Sequence, residues 1–226
     1  MSATAVAVGK PFPASFRKTA VLVGVLFLLG TATFATGSSF ITSYFSEAGG
    51  QASTLLAGVL LEAISAIAVA GIGVAMWPVL KRYNVGLAHG YRALRIGEGL
   101  MIIAAGVYMV TTKNEFFRYD AFIYMFTASA GLIFSYLLYV SGLIPRFLAL
   151  LGLVGYITLA IGIPVTLMTT VRLDEGWGLV FVAAGAVFEF VVPLLLIIKG
   201  FSMRKEEPRL GVDHLSDPKE RIAVPA

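Results

Sequence analysis

The sequence predicts an all-α membrane protein, a bundle of six transmembrane helices with both termini in the cytoplasm. Of its 226 residues, 58% are hydrophobic and only 13% are charged, whereas soluble domains carry about 25% charged residues. The apolar residues form six continuous runs, each long enough to cross about 30 Å of hydrocarbon at roughly 20 residues per helix. The runs do not alternate in ten-residue units as barrel strands do, and an open sheet cannot lie in lipid.

The first three predicted spans each carry a local signal. Span one follows Arg17 and Lys18, as a signal peptide would, but its apolar run exceeds the 7–15 residues of a cleaved one. Span two contains AISAIAVAGIGVA (63–75), whose small residues at four-residue spacing are typical of close helix packing. Span three begins in the polar stretch GYRALRIGEGL (90–100). We predict that all three are retained helices.

The other three spans are mainly apolar, and two of them contain proline. Span five contains Pro164 and span six contains Pro193. Because proline has no amide hydrogen, Pro193 leaves the carbonyl of Glu189 without its helical partner. Interrupted helices line binding sites in transporters, but prolines also occur in membrane helices for packing, and the sequence leaves both open. The six predicted spans are Ala20–Phe40, Thr54–Leu80, Leu87–Thr111, Ala121–Ser141, Phe147–Val171 and Gly176–Ile198.

The distribution of Lys and Arg predicts the orientation, because cytoplasmic segments carry the excess of positive charge. One side of the predicted bundle has only Lys113, Arg118 and Arg172. The other side carries Lys10, Arg17, Lys18, Lys81, Arg82, Arg92, Arg95, Arg146, Lys199, Arg204, Lys205, Arg209, Lys219 and Arg221. We therefore expect a multi-pass plasma-membrane protein with a cytoplasmic segment over 1–17, a transmembrane domain over 18–201 and a disordered cytoplasmic tail over 202–226.

Polar side chains in the middle of three spans are the candidate site. Glu62, Glu98 and Glu189 fall in the middle third of the bilayer, where each ionised group costs about 2.5–3.5 kcal/mol. Arg95 lies one helical turn from Glu98, and Tyr91 continues that face. We expect these five side chains to face the interior of the bundle and to meet.

Charge balance then predicts that the three carboxyl groups do not all stay ionised. Arg95 neutralises one of them, while Arg92 is expected to reach the cytoplasmic interface beside His89. At least one glutamate is therefore protonated or in contact with water, and Glu98 is the one expected to change protonation during function.

Several chemistries are disfavoured by the residue inventory. The chain has no cysteine and only two histidines, His89 and His214, and it contains no HExxH, GxSxG or Walker glycine loop. We therefore predict no metal site, no cofactor and no catalytic residue. The formal net charge of +4 is explained by the cytoplasmic bias, so the expected partner is the lipid bilayer, with a small-molecule or lipophilic ligand as a candidate and no nucleic acid.

Five blocks resemble the domain of unknown function 4386 family, which are uncharacterised bacterial inner-membrane proteins with six spans. The resemblance implies that Glu62, Tyr91, Arg95, Glu98 and Glu189 are positions shared with the family. Phe147, where a tryptophan is usual, and Pro193 depart from its pattern. The blocks are RKTAVLVGVLFLLG (17–30), LLEAISAIAVAGIGVAMWPVLKRYN (60–84), GYRALRIGEGL (90–100), LIPRFLALLGLVGY (143–156) and FEFVVPLLLIIKGF (188–201).

Three functions fit these observations. The first is binding or transport of a small solute or lipophilic compound, proton-coupled through the carboxyl cluster. The second is a membrane sensor or accessory subunit, in which the cluster fixes helix register. The third is a lipid-modifying enzyme that uses a glutamate as general acid or base. A cavity that reaches Glu98 from water favours the first, a dry and fully paired cluster the second, and an opening to lipid the third.

Overall fold

The computed structural model describes residues 14–46, 50–169, 171, 173 and 176–201, and within them every long element is an α-helix. Six of these helices are long and apolar enough to cross a membrane, so the predicted all-α fold with six spans is confirmed and the chain is a multi-pass membrane protein. The helices are α1 (Ala14–Ser46), α2 (Ala52–Leu80), α3 (Val85–Thr112), α4 (Tyr119–Ser141), α5 (Arg146–Met168) and α6 (Leu179–Ile198), with a 3-10 turn at Gly176–Gly178 before α6.

The predicted spans agree with these helices except at some ends. Helix α1 extends beyond its predicted span in both directions, and α5 ends at Met168, before the predicted Val171. The proposed segments 1–17 and 202–226 lie outside the described residues, apart from the start of α1. Helices α5 and α6 continue through Pro164 and Pro193 without a break in helical assignment.

Local chemistry explains where several helices begin and end. The Asn84 side chain accepts a hydrogen bond from the amide of Leu87 at 2.9 Å and caps the start of α3. Gly142 adopts a left-handed conformation with φ 66° directly after α4. Because glycine has no Cβ, it takes this conformation without strain. Pro145 then precedes the first residue of α5, so a short connection reverses the chain.

The helices form a closed ring in chain order. Each helix packs antiparallel against the next one along the chain, and α1 packs against α6 to close the ring. We call the end where α1 begins and α6 ends the Arg17 side, and the end where α1 finishes the Ser46 side. On the Arg17 side, the Arg17 guanidinium donates to the carbonyls of Ile197 and Ile198, both at 3.0 Å.

Glycines allow three pairs of helices to approach closely. A Cβ at Gly37 on α1 would lie 2.7 Å from the carbonyl oxygen of Gly58 on α2, and one at Gly99 on α3 would lie 2.7 Å from that of Ala66. Gly155 and Gly185 make a similar contact between α5 and α6. Lipid provides little hydrophobic driving force between helices, so close backbone packing of this kind stabilises the bundle.

Aromatic side chains fill the centre of the ring toward the Arg17 side. The ring of Phe134 stacks on Tyr91 at a centroid distance of 5.0 Å and on Phe27 at 5.9 Å. Phe188 packs edge-on against Phe134 at 6.4 Å and against Tyr156 at 5.8 Å. All five rings are buried. We call this set, which joins α1, α3, α4, α5 and α6, the aromatic cluster.

Candidate functional site

A cavity of about 690 Å³ opens between the helices on the Ser46 side of the aromatic cluster. Helices α1 to α4 line it, and α6 contributes Glu189. Its volume lies within the 300–1,000 Å³ typical of small-molecule sites. The lining residues are Phe27, Gly30, Thr31, Phe34, Ala35, Ser38, Ser39, Thr42, Ser43, Ser46, Ser65, Val69, Ile72, Arg95, Glu98, Ile102, Ile123, Tyr124, Thr127 and Glu189.

One face of α1 gives the cavity a wall of hydroxyl groups. This face comprises Thr31, Ser38, Ser39, Thr42, Ser43 and Ser46. Sequence analysis missed it, since the stretch was treated as the end of an apolar span. A signal was present: in TATFATGSSFITSYFS (31–46), serine and threonine recur at helical spacing. Several of these residues are exposed along the length of the helix, so the cavity is open rather than sealed.

Arg95 and Glu98 form a buried ion pair at the inner end of the cavity. Arg95 Nη1 lies 2.9 Å from Glu98 Oε2, and the two side chains are 3% and 5% exposed. The Thr127 hydroxyl on α4 donates to the other carboxylate oxygen, Glu98 Oε1, at 2.6 Å. The structure therefore brings together the predicted pair and adds a link to α4 that the sequence did not reveal.

The rest of the Arg95 guanidinium is surrounded by aromatic rings. It lies over Phe27 at 5.5 Å and over Tyr91 at 5.6 Å, measured from Cζ to the ring centroids. Arg95 Nε and Nη2 and the Tyr91 hydroxyl are buried and have no hydrogen-bond partner among the described residues. Cation–π contacts stabilise the charge in place of water, and the unpaired donors leave room for a water or ligand bridge.

Glu189 is the second carboxylate on the cavity wall. Its Oε1 accepts a hydrogen bond from the Tyr156 hydroxyl at 2.8 Å, and the side chain is only partly buried. It interacts electrostatically with both Arg95 and Glu98. The second oxygen of Glu189 has no hydrogen-bond partner within the described part of the chain. Pro193, one turn further along α6, is buried, and its carbonyl oxygen would lie 2.7 Å from a Cβ at Gly24, so Pro193 packs against α1.

Glu62 lies apart from this group, so the expectation that all three carboxyls meet does not hold for it. It is buried, but it does not line the cavity and its partner is the Tyr119 hydroxyl, which donates to Oε1 at 2.9 Å. The reason is the packing of α2, because Glu62 lies at the crossing of α2 with α1. Its Cγ is 2.9 Å from the position that a Cβ on Gly37 would take. Its second oxygen, Oε2, is buried without a partner.

Glu62 and Glu189 nevertheless occupy similar local settings. Each lies one turn after a glycine at a close helix crossing, Gly58 and Gly185 respectively. Each accepts a hydrogen bond from a tyrosine hydroxyl on another helix, at 2.9 Å for Glu62 and 2.8 Å for Glu189. Only Glu189 reaches the cavity, so the two carboxyls offer a matched pair for experiment.

His89 and Arg92 lie at the Arg17 side of the bundle and not in the cavity. The His89 ring packs on Trp77 at 3.9 Å between centroids, and its Nδ1 is 3.2 Å from Arg92 Nη2. The Arg92 guanidinium lies 4.8 Å from the centre of the same indole. Arrangements of Trp with basic side chains are typical of membrane interfaces, and Arg92 is thereby separated from the Arg95 ion pair.

The arrangement offers charge and hydrogen bonds rather than a metal site. In the described ranges, no group of three or more His, Cys, Asp or Glu side chains is placed to hold a metal ion. The cavity wall carries three ionisable charges, those of Arg95, Glu98 and Glu189. Their sum is one negative charge when all are ionised. A site of this composition can hold one small polar or charged solute beside an apolar wall.

Fold and site together define an α-helical, multi-pass membrane protein with a polar cavity at its centre. The chain matches the family described as domain of unknown function (DUF4386) over residues 22–116 and 115–200. It therefore belongs to that family, as the sequence blocks indicated. No curated protein and no solved structure matches the chain.

Proposed function

We propose that this protein binds a small solute in the central cavity and moves it across the plasma membrane. The observation that carries the proposal is the cavity of about 690 Å³ that reaches a buried Arg95–Glu98 pair and Glu189. Polar groups at bilayer depth are costly and typically mark solute or ion pathways. A bundle that served only as a scaffold would gain nothing from a hydroxyl-lined cavity there.

The two ends of the cavity support access from one side at a time. The aromatic cluster fills the ring toward the Arg17 side, whereas the lining continues to Ser46 at the other end. From the positive-inside rule we expect the Arg17 side to face the cytoplasm. In the proposed cycle this structure is the outward-facing state, and rearrangement of the aromatic cluster opens the cytoplasmic path.

Hydrogen bonding favours Glu189 over Glu98 as the carboxyl group that responds to the solute. Both oxygens of Glu98 are occupied, by Arg95 and by Thr127. Glu189 has one partner, Tyr156, and its other oxygen is left for a ligand. The sequence favoured Glu98 because it lies deep beside Arg95, but that same arginine pairs with it directly.

A second candidate function is a sensor or accessory subunit in which the polar group fixes the register of the helices. The Arg95–Glu98–Thr127 link between α3 and α4 favours it, because buried ion pairs can specify one packing arrangement. It does not account for Glu189 or for the hydroxyl groups of α1. The two candidates therefore differ in whether the cavity holds water and solute.

Cysteine accessibility tests whether water reaches the cavity. The chain has no cysteine of its own, so single substitutions give a clean signal. Ala35 lines the cavity, while Ala32 on the same helix is exposed but does not line it. We expect Ala35→Cys to react with neutral, hydrophilic 2-hydroxyethyl methanethiosulfonate, and Ala32→Cys to react at least tenfold more slowly because it faces lipid. Equal, slow reaction at both positions would indicate a lipid-filled opening and contradict solute transport.

A blocking substitution tests the function itself. Thermal unfolding in detergent is measured with a panel of small amines, carboxylates, alcohols and sugars. We expect at least one class to raise the unfolding temperature of the wild type and of Ala32→Trp, but not of Ala35→Trp, whose indole occupies the part of the cavity beside the hydroxyl wall. If no class stabilises the wild type, or if both tryptophan variants behave alike, the proposal fails.

A further inference from the structure

We infer that the solute is a lipophilic monoamine, bound as an ammonium ion with Glu189 as its counter-charge. This inference rests on the proposed function, since it assigns a chemical class to the same cavity. The first reason is charge. Glu98 is already neutralised by Arg95 at 2.9 Å, so Glu189 carries the uncompensated negative charge of the wall, and a monovalent cation balances it.

The second reason is that part of the cavity wall presents hydrogen-bond acceptors. A hydroxyl group has one hydrogen to donate and two lone pairs to accept with. The Ser39 hydroxyl donates to the carbonyl of Ala35 at 2.9 Å, and that of Ser46 donates to Ser43 at 3.2 Å. Thr127 donates to Glu98. The lone pairs of these oxygens remain available, as does the free oxygen of Glu189. An ammonium group, which carries only donors, matches this part of the wall, whereas the unpaired donors of Arg95 lie against Phe27 and Tyr91 at the inner end of the cavity.

The third reason is the apolar wall facing those hydroxyl groups. Helices α2, α3 and α4 contribute Val69, Ile72, Ile102 and Ile123, and Phe34 packs edge-on against Tyr124 at 6.3 Å between ring centroids. Aromatic faces attract cations as well as apolar groups. A ligand with a charged head and a hydrocarbon body therefore contacts both kinds of surface, and a fully hydrated inorganic cation does not.

Three probes of equal length and different charge separate these requirements: 4-phenylbutylamine, 4-phenylbutanol and 4-phenylbutyrate. Binding is measured as the concentration that halves the rate at which Ala35→Cys reacts with 2-hydroxyethyl methanethiosulfonate, in the full-length protein. We expect the amine to protect at a concentration at least tenfold lower than the alcohol, and the carboxylate to give no protection. Equal or better protection by the alcohol or the carboxylate overturns the assignment of charge while leaving a solute-binding cavity in place.

Variants locate the counter-charge. In the Ala35→Cys background, Glu189→Gln should bring the amine to within about threefold of the alcohol. Glu62→Gln is the control, because Glu62 also accepts a tyrosine hydroxyl but lies outside the cavity, and it should keep the full preference for the amine. Loss of the preference in Glu62→Gln, or its retention in Glu189→Gln, overturns the inference. If Glu189→Gln does not fold, the inference is decided by the ranking of the three probes in the Ala35→Cys protein, in which both glutamates are unaltered. Absence of protection by all three probes overturns this inference, whereas the proposed function fails only if no class of the wider panel stabilises the wild type.

Discussion

At the scale of single residues, the two arginines of GYRALRIGEGL have opposite environments. Arg95 is buried and paired with Glu98, whereas Arg92 lies on Trp77 at the Arg17 side of the bundle. Three positions separate them, so they lie slightly less than one turn apart along α3. A rise of about 4.5 Å thus separates a charge at the Arg17 side from one that must be neutralised inside the protein.

The first prediction compares the removal of each arginine. Arg95→Leu strands the buried Glu98 carboxylate, and breaking one partner of a buried pair costs about 3–5 kcal/mol. Arg92→Leu removes an interfacial cation–π contact, which contributes about 1 kcal/mol or less. We expect a much lower unfolding temperature in detergent for Arg95→Leu. The double variant Arg95→Leu/Glu98→Leu should recover part of the loss, and equal tolerance of both single variants would place Arg95 at the interface instead.

Thr127 is the residue of the site that sequence analysis could least have found. Its hydroxyl donates to Glu98 at 2.6 Å, but a lone threonine in an apolar span gives no signal. The second prediction is that Thr127→Val, which keeps the shape and removes the donor, lowers stability by about 1–3 kcal/mol. Ser129→Ala on the same helix removes an exposed hydroxyl that bonds only its own helix, and it should have little effect on the unfolding temperature. If Thr127→Val leaves the unfolding temperature unchanged, water replaces the hydroxyl group as the donor to Glu98.

At the scale of elements, α1 has two functions in the same sequence. Gly30 and Gly37 pack against α2, while the hydroxyl face of α1 lines the cavity. At 33 residues it is the longest helix described, about 50 Å at 1.5 Å per residue, and exceeds the hydrocarbon thickness. Substitutions on its two faces should therefore have separable effects.

The third prediction concerns the packing face of α1. Alanine at Gly37 would place its Cβ 2.7 Å from the Gly58 carbonyl oxygen, whereas alanine at Gly30 meets its nearest neighbour at 3.5 Å, an ordinary contact. We expect Gly37→Ala to destabilise the protein by about 1–3 kcal/mol through overpacking. Gly30→Ala should be neutral or stabilising by up to about 1 kcal/mol, because alanine favours helix. Unfolding temperatures in detergent give the comparison, and equal effects would mean that α1 and α2 can separate freely.

At the scale of the whole molecule, the ring of six helices places the cavity between the two halves of the chain. Helices α1 to α3 supply the hydroxyl wall and the ion pair, while α4 and α6 supply Thr127 and Glu189. A movement of one half against the other would therefore alter the distance between Arg95 and Glu189. The proposed transport function requires such a movement.

The fourth prediction is the orientation of the molecule in the membrane. Because Lys and Arg are concentrated on the Arg17 side, we expect that side to be cytoplasmic. A cysteine at Ser46 should react with a membrane-impermeant maleimide added to intact cells, whereas one at Val85, the exposed first residue of α3, should react only after permeabilisation. The reverse pattern would turn the cavity toward the cytoplasm and reverse the proposed direction of first access.

The sequence by itself determined the six helices, their order and the residues that could not face lipid. Run length against the thickness of hydrocarbon is a local property, and so is the cost of a buried charge. The sequence also predicted the Arg95–Glu98 contact, because residues three apart on one helix are neighbours. These features need no knowledge of which helix lies beside which.

Only the tertiary structure decided which polar groups share a site. Glu62 and Glu189 are both glutamates with a glycine one turn before them, and the sequence predicts a similar depth in the bilayer for both. Glu189 nevertheless lines the cavity, whereas Glu62 lies at a helix crossing. The difference depends on how each helix is rotated about its axis and on the identity of its neighbours, which close glycine contacts fix between distant parts of the chain. For the same reason the hydroxyl face of α1 became a cavity wall only when α3, α4 and α6 were placed opposite it.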